Sequence, residues 1–220
     1  MMYISSRFKV LLLLWGILLM SCSEQPEEYA LIATEKGNIF LRFFPDEAPK
    51  HVDSFKTLAR EGYFNGTDFH RVIAGFVIQG GDPNSKDGDR LNDGLGGRSG
   101  KYYGIGDKDD PDTWRLPAEF SSLPHKRGTL SMARSPSGND TAGSQFFICI
   151  EPQPNLNNQY TVFGEVIKGI NVVDSVASVF TPRKRNPNYE RPDGDSPIPD
   201  VFMDVHIGTA DELGLEIPSG

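Results

Sequence analysis

Arg71 and Gln79 stand in a stretch otherwise dense in apolar residues, Phe69-His70-Arg71-Val72-Ile73-Ala74-Gly75-Phe76-Val77-Ile78-Gln79-Gly80-Gly81-Asp82. A second amide, Gln145, opens the run Gln145-Phe146-Phe147-Ile148-Cys149-Ile150. At strand period Phe69, Arg71 and Ile73 share one face, and Val77 and Gln79 share a face beyond a turn at Ala74-Gly75. In the later run Gln145, Phe147 and Cys149 share a face opposite Phe146, Ile148 and Ile150. A guanidinium and two amides beside Phe and Val make a poor core and a plausible pocket lining. The guanidinium stays protonated at any working pH and donates through a planar fork. The chemistry on offer is therefore hydrogen-bond donation from a fixed cation beside an apolar slot. An arginine that snorkels to water from a strand edge explains the same pattern, because charge is seldom buried without a partner.

The elements that would position these side chains are mostly strands. Tyr29–Thr34 and Ile39–Phe44 flank Glu35-Lys36-Gly37-Asn38, with Gly37-Asn38 as the hairpin signal. Pro49 opens a helix with Val52, Phe55, Leu58 and Ala59 at helical spacing, and Gly62 ends it. Further alternating runs cover 128–134, 144–150, 160–167 and 201–207, and Ile170, Val173, Val176 and Ala177 mark a second helix. Many strands, turn signals between them and two helices predict an antiparallel barrel or sandwich. The segment 83–116 is polar, rich in glycine and aspartate, and reads as a loop insertion with at most a short helical turn. The segment 181–200 is proline-rich and charged, and reads as a second insertion. Its Arg183-Lys184-Arg185 run is expected to be solvated, with a docking patch as the rival reading.

Other chemistries fail on spacing. A calcium loop starting at Asp82 would need an acceptor at Lys86 and glycine at Asp87. The glycines from Gly94 to Gly100 lack the third glycine of a dinucleotide fingerprint, because Ser99 stands there. Tyr102 after Lys101 removes the hydroxyl that a phosphate loop needs for magnesium. No metal or cofactor is expected.

Phe69-His70-Arg71, Gly75-Phe76, Gln79-Gly80-Gly81-Asp82, Leu130-Ser131-Met132-Ala133, Gly143-Ser144-Gln145-Phe146-Phe147-Ile148 and Val162-Phe163-Gly164 occur in that order. Together they resemble the cyclophilin family of peptidyl-prolyl cis-trans isomerases, over residues 29–208. The resemblance implies a closed eight-stranded antiparallel β-barrel capped by two α-helices, with mainly β content. It places the catalytic arginine on Arg71 and its amide partners on Gln79 and Gln145. It places the proline pocket on Phe76, Val77, Phe147 and Leu156, with Ala133 and Tyr160 beside it, and the backbone clamp on Arg134. Val77 stands where many members have methionine, Arg134 replaces a common asparagine, and Tyr160 replaces the usual histidine. Asn155 replaces a tryptophan that many members use to bind cyclosporin, so weak inhibition is expected. The implied substrates are proline-containing polypeptides, unfolded or exported. A proline-binding module without catalysis is the competing reading, and a surface lipoprotein binding glycan or cation through Asp82–Leu116 is a third.

The chain has 220 residues and a net charge of −8, which suits one domain with extensions and argues against non-specific nucleic-acid binding. Arg7 and Lys9 precede an apolar run from Val10 to Met20, and Ser21-Cys22 follows. This is the pattern of a secretory signal, and the run is short of the roughly 20 residues of a comfortable membrane span. An uncleaved anchor is the rival. Cysteine after serine resembles the bacterial lipobox, which implies cleavage of a 1–21 signal peptide and lipidation of Cys22. Cleavage removes Arg7 and Lys9 and no acid, leaving 20 basic side chains against 30 acidic ones, a balance of −10. Residues 22–28 then form an acidic tether, and 209–220 a C-terminal tail. With Cys22 lipidated, Cys149 has no disulfide partner and reads as a buried small hydrophobe. The expected location is the bacterial cell envelope, lipid-anchored on a periplasmic or surface face, as a monomer.

Overall fold

The structure, a computed structural model, describes residues 26–216. The signal segment, Cys22 and most of the tether lie outside the described residues. The strands are β1 (Tyr29–Thr34), β2 (Gly37–Phe43), β3 (Thr67–Asp68), β4 (Arg71–Ile73), β5 (Val77–Gly80), β6 (Thr129–Met132), β7 (Phe146–Cys149), β8 (Val162–Lys168) and β9 (Phe202–Gly208). They form one sheet in the order β3-β9-β1-β2-β8-β6-β7-β5-β4, and every pairing is antiparallel.

The two edge strands of that order are consecutive in the chain, joined only through Phe69 and His70. The sheet must therefore curl until its edges meet, which leaves little edge exposed. The expected strand count was eight and the observed count is nine. The difference arises where a kink at Phe69-His70 splits one run into β3 and β4. The same kink corrects the face assigned to Phe69. Its ring is fully buried against Phe146 in the core, not beside Arg71.

The helix α1 (Pro49–Arg60) starts on a proline whose missing N–H costs nothing at that position. It buries His51, Val52, Phe55, Leu58 and Ala59 on one stripe. Phe55 is the centre of the core, with ring centroids 5.7 Å from Phe43, 4.9 Å from Phe64, 5.4 Å from Phe146 and 5.6 Å from Phe163. The helix α2 (Ile170–Ser178) buries Val172, Val173, Val176 and Ala177. The first hairpin turns at Glu35-Lys36, two residues before the predicted Gly37-Asn38, and Gly37 opens β2 with φ +124°.

Both insertions are tied to the barrel. A short helix, α3 (Pro182–Arg185), carries the basic run, and Arg183 pairs with Asp195 while the Lys184 ammonium donates to the Ala177 and Val179 carbonyls. Two of the three bases are thus used internally, Lys184 at the end of α2 and Arg183 within the insertion. Arg90 of the first insertion pairs with Asp200 of the second. In the C-terminal segment Leu215 packs on Tyr29 and Phe40, and Glu28 of the tether pairs with Lys56 and Arg60 of α1.

Candidate active site

Antiparallel pairing sets Arg71 opposite Gln79, Gln79 opposite Phe147, and Val77 opposite Cys149. Alternation then puts the intervening Val72, Ile78, Phe146 and Ile148 into the main core. The other face carries a separate cluster of Val77, Phe147, Cys149 and Leu156, with Phe76, Ala133 and Tyr160 packed against it. This division matches the alternation expected for Gln145–Ile150. Cys149 is fully buried, and burial pushes its thiol up to about 12, so it is inert at neutral pH.

A cavity of about 340 Å³ opens on this cluster and is lined by Arg71, Phe76, Val77, Gln79, Ala133, Arg134, Phe147, Leu156 and Tyr160. Every predicted pocket residue except Gln145 lines it. Gln145 lies in a neighbouring recess of about 460 Å³ that shares Gln79, Ala133 and Arg134. Leu156 comes from a single 3-10 turn, Pro154–Leu156, and the Tyr160 ring meets Phe147 edge-on at 5.6 Å. Apolar side chains beside a polar row suit a pyrrolidine ring.

The polar wall is a chain of hydrogen bonds. Arg71 Nη1 donates to Gln79 Oε1 at 3.1 Å, and its guanidinium carbon lies 5.8 Å from the Phe76 ring centre. Gln79 Nε2 donates to Gln145 Oε1 at 3.0 Å. Gln145 Nε2 donates in turn to the Gly96 carbonyl at 2.8 Å and to Asp82 Oδ2 at 3.3 Å. Asp82 is fully buried and also accepts from the backbone amides of Asn84 and Gly96. Gly80 and Gly81, which follow Gln79, stand where a side chain would not fit. A Cβ at Gly80 would sit 2.6 Å from Met203 Cε and 2.7 Å from the Asp68 carbonyl, and Gly81 holds φ +84°.

Arg134 lays its guanidinium over the Tyr160 ring at 4.8 Å and donates to the Gln159 carbonyl at 3.0 Å. Among the described residues its own main-chain groups have no backbone partner, which leaves them free to pair with an extended peptide. The replacement of asparagine at this position therefore changes a side chain that braces Tyr160 and leaves the main chain available.

Two positioning features escaped sequence reasoning. His125 stacks on Phe147 at 6.0 Å, with its ring nitrogens on Ser131 Oγ and Asn157 Oδ1, and burial lowers its pKa. Its distance in the chain from Phe147 hides that contact. His70 stands inside the quoted Phe69-His70-Arg71 motif, yet the motif alone assigns it no role. It lines the cavity at 5% exposure. Burial drives its pKa down to about 4, against the opposing pull of Asp82, so the ring is neutral at pH 7.

A curled antiparallel sheet bearing a fixed guanidinium and two amides beside an apolar slot defines a proline-binding groove of the rotamase class. Residues 29–195 match the family described as cyclophilin-type peptidyl-prolyl cis-trans isomerase/CLD. A probable peptidyl-prolyl cis-trans isomerase of Brucella abortus is 42% identical over 161 residues, covering 73% of this chain and 77% of that protein. A peptidyl-prolyl cis-trans isomerase of Helicobacter pylori is 41% identical over 150 residues, covering 67% of this chain and 79% of that one. A crystal structure of a Cryptosporidium parvum cyclophilin with the dipeptide Ala-Pro superposes with a TM-score of 0.67 at 30% identity. It covers 82% of this chain and 99% of that chain. The chain belongs to the cyclophilin family, and it is a peptidyl-prolyl cis-trans isomerase.

Proposed function

We propose that this isomerase acts in the bacterial cell envelope, held to a membrane by lipid on Cys22, on proline-containing segments of exported polypeptides, and that Arg71 stabilises the twisted amide. Rotation about an X–Pro bond is opposed by resonance, with a barrier of about 18–20 kcal/mol. Cis and trans differ by only about 0.5–1 kcal/mol, so the task is kinetic. At the twisted geometry conjugation is lost and a lone pair returns to the prolyl nitrogen. A cation that donates to that nitrogen binds the twisted amide better than the planar one, which is the differential binding that lowers a barrier.

The observation that carries this reading is the Arg71–Gln79–Gln145 chain beside the apolar cavity. The chain fixes the guanidinium while the pocket holds the ring, and no nucleophile or proton transfer is needed. A millionfold acceleration needs about 8 kcal/mol. One charge-assisted hydrogen bond supplies about 1.5–3 kcal/mol of it, and the clamping of the peptide in a dry slot supplies the remainder. The lipid anchor is supported by the basic, apolar and Ser21-Cys22 pattern of the leader. The expected state is monomeric.

Arg71→Ala should keep the fold, read by circular dichroism and urea midpoint, and lose most of its rate with a proline tetrapeptide. A near-full rate in a folded Arg71→Ala protein would end the proposed role. Mass spectrometry of the mature N-terminus checks the anchor, and a chain retaining residues 1–21 or a bare thiol at Cys22 would refute it.

A further inference from the structure

The cavity does not stop at the proline slot. Its lining also takes in His70, Arg90, Asp93 and Gly94, together with Pro192, Asp195 and Ser196. This extension is built by the two insertions, and the Arg90–Asp200 pair clasps them together. Asp195 is already neutralised by Arg183, and Asp200 by Arg90. Among the described residues Asp93 is the carboxylate lining the cavity that has no cationic partner in contact, and its Oδ1 is buried without a hydrogen bond. Beside it, both ring nitrogens of the buried His70 are also unpartnered.

We propose that Asp93 makes this extension a subsite for a lysine or arginine side chain of the substrate, close in sequence to the isomerised proline. The inference rests on the isomerase reading of the same groove. A continuous cavity that holds the proline at one end puts the other end within reach of a neighbouring residue, since successive Cα atoms are about 3.8 Å apart. The charges around the carboxylate favour a cation. Asp82, Asp87 from the first insertion and Asp68 from β3 lie near it, while the nearby Arg90 and Asp200 balance each other as a pair. Burial and these acids push Asp93 up to about 6, so the group is still mostly ionised at pH 7.5 and gains from an incoming positive charge. Among the described residues no three histidine, cysteine or acidic side chains converge on a metal-sized point. An ammonium or guanidinium on a flexible stem, which needs one carboxylate and a neighbouring hydrogen-bond acceptor, fits better than a metal ion. The neutral His70 ring offers an acceptor for a second N–H of the same group.

The test compares kcat/KM, read by NMR exchange without a coupling protease, for tetrapeptides with Lys, Gln or Glu on either side of proline. In the wild type, at low salt and pH 7.5, the lysine peptide of one series should exceed its glutamine counterpart by about three- to tenfold, with glutamate below glutamine. Asp93→Asn should bring that ratio to within about twofold, and Asp93→Glu should retain a preference for lysine. Absence of a lysine preference on both sides of proline would overturn the proposal, and so would an undiminished preference in a folded Asp93→Asn protein. Failure of the wild type to turn over any peptide would instead strike the isomerase reading, so the two failures are distinguishable.

Discussion

Gln79 offers the sharpest separation between a guanidinium that is merely present and one that is positioned. Its Oε1 accepts from Arg71 Nη1 at 3.1 Å and its Nε2 donates to Gln145 Oε1 at 3.0 Å. Gln79→Leu keeps the size of the side chain and removes both bonds. The bond from the charged guanidinium contributes about 1.5–3 kcal/mol, and the amide left without its partner adds to the loss. If about 2 kcal/mol of this is realised in the twisted state, kcat/KM should fall about thirtyfold. The loss should appear in kcat more than in KM, since the apolar walls that hold the ring are untouched. The decisive assay is a double-mutant cycle on a neutral proline peptide, with urea midpoints taken for each variant. With Arg71→Ala already present, Gln79→Leu should cost less than about threefold, because there is no longer a guanidinium to orient. Equal losses in both backgrounds would refute the positioning argument and leave Gln79 as an independent contact.

Two further outcomes follow from the same geometry. Asp68 is 3% exposed with Oδ1 unpartnered, and burial, with Asp93 and Asp200 nearby, raises it from 3.8 to about 7. The folded state then binds the proton more tightly than the unfolded one, so this contribution is complete below about pH 4 and lost as pH rises through about 7. Asp68→Asn should gain on the order of 2 kcal/mol over wild type at pH 8 in urea unfolding and lose that advantage near pH 4. A pH-independent difference would contradict the raised pKa. His70 has the opposite slope, with stability present above about pH 6.5 and lost through about pH 4, and it cancels in the difference between the two proteins. Asn155, exposed on the 3-10 turn beside Leu156, should allow only weak cyclosporin inhibition, and Asn155→Trp should tighten it by about tenfold or more in a peptide-isomerisation inhibition assay. Equal inhibition of the two proteins would remove that position from the drug contact.

What was legible in the chain and what was not divides along physical lines. The alternation Gln145–Ile150 was readable because a two-residue period assigns faces without knowledge of partners, and the core and pocket clusters fall on those faces. The same rule misplaced Phe69, because the sheet bends between β3 and β4 and a bend resets the alternation. The hairpin signal at Gly37-Asn38 pointed two residues late, since Gly37 serves the strand entry, where a Cβ would sit 3.0 Å from Val172 Cγ2. The two insertions read as surface loops because nothing local marks a contact such as Arg90 with Asp200, 110 residues apart. Likewise Arg183-Lys184-Arg185 looked solvated by composition, while two of its charges answer the carboxylate of Asp195 and the last carbonyls of α2.

Those contacts change what the first insertion is for. Asp82 begins it, and its carboxylate accepts from Asn84, Gly96 and Gln145, so the loop and the polar wall of the pocket share one buried anchor. Gly96 closes the circuit by accepting from Gln145. A loop joined to the Arg71 chain at two points cannot move without moving the amides that hold the guanidinium. The residues it carries between those points, Arg90 and Asp93 among them, are therefore held at a fixed distance from the reacting bond. Orientation of the catalytic cation and selection of the neighbouring residue depend on the same few hydrogen bonds. Substitutions within 83–96 should consequently alter rate and substrate preference together, whereas those in the outer part of the segment, around Asp107–Thr113, should alter neither, because their hydrogen bonds close within that turn.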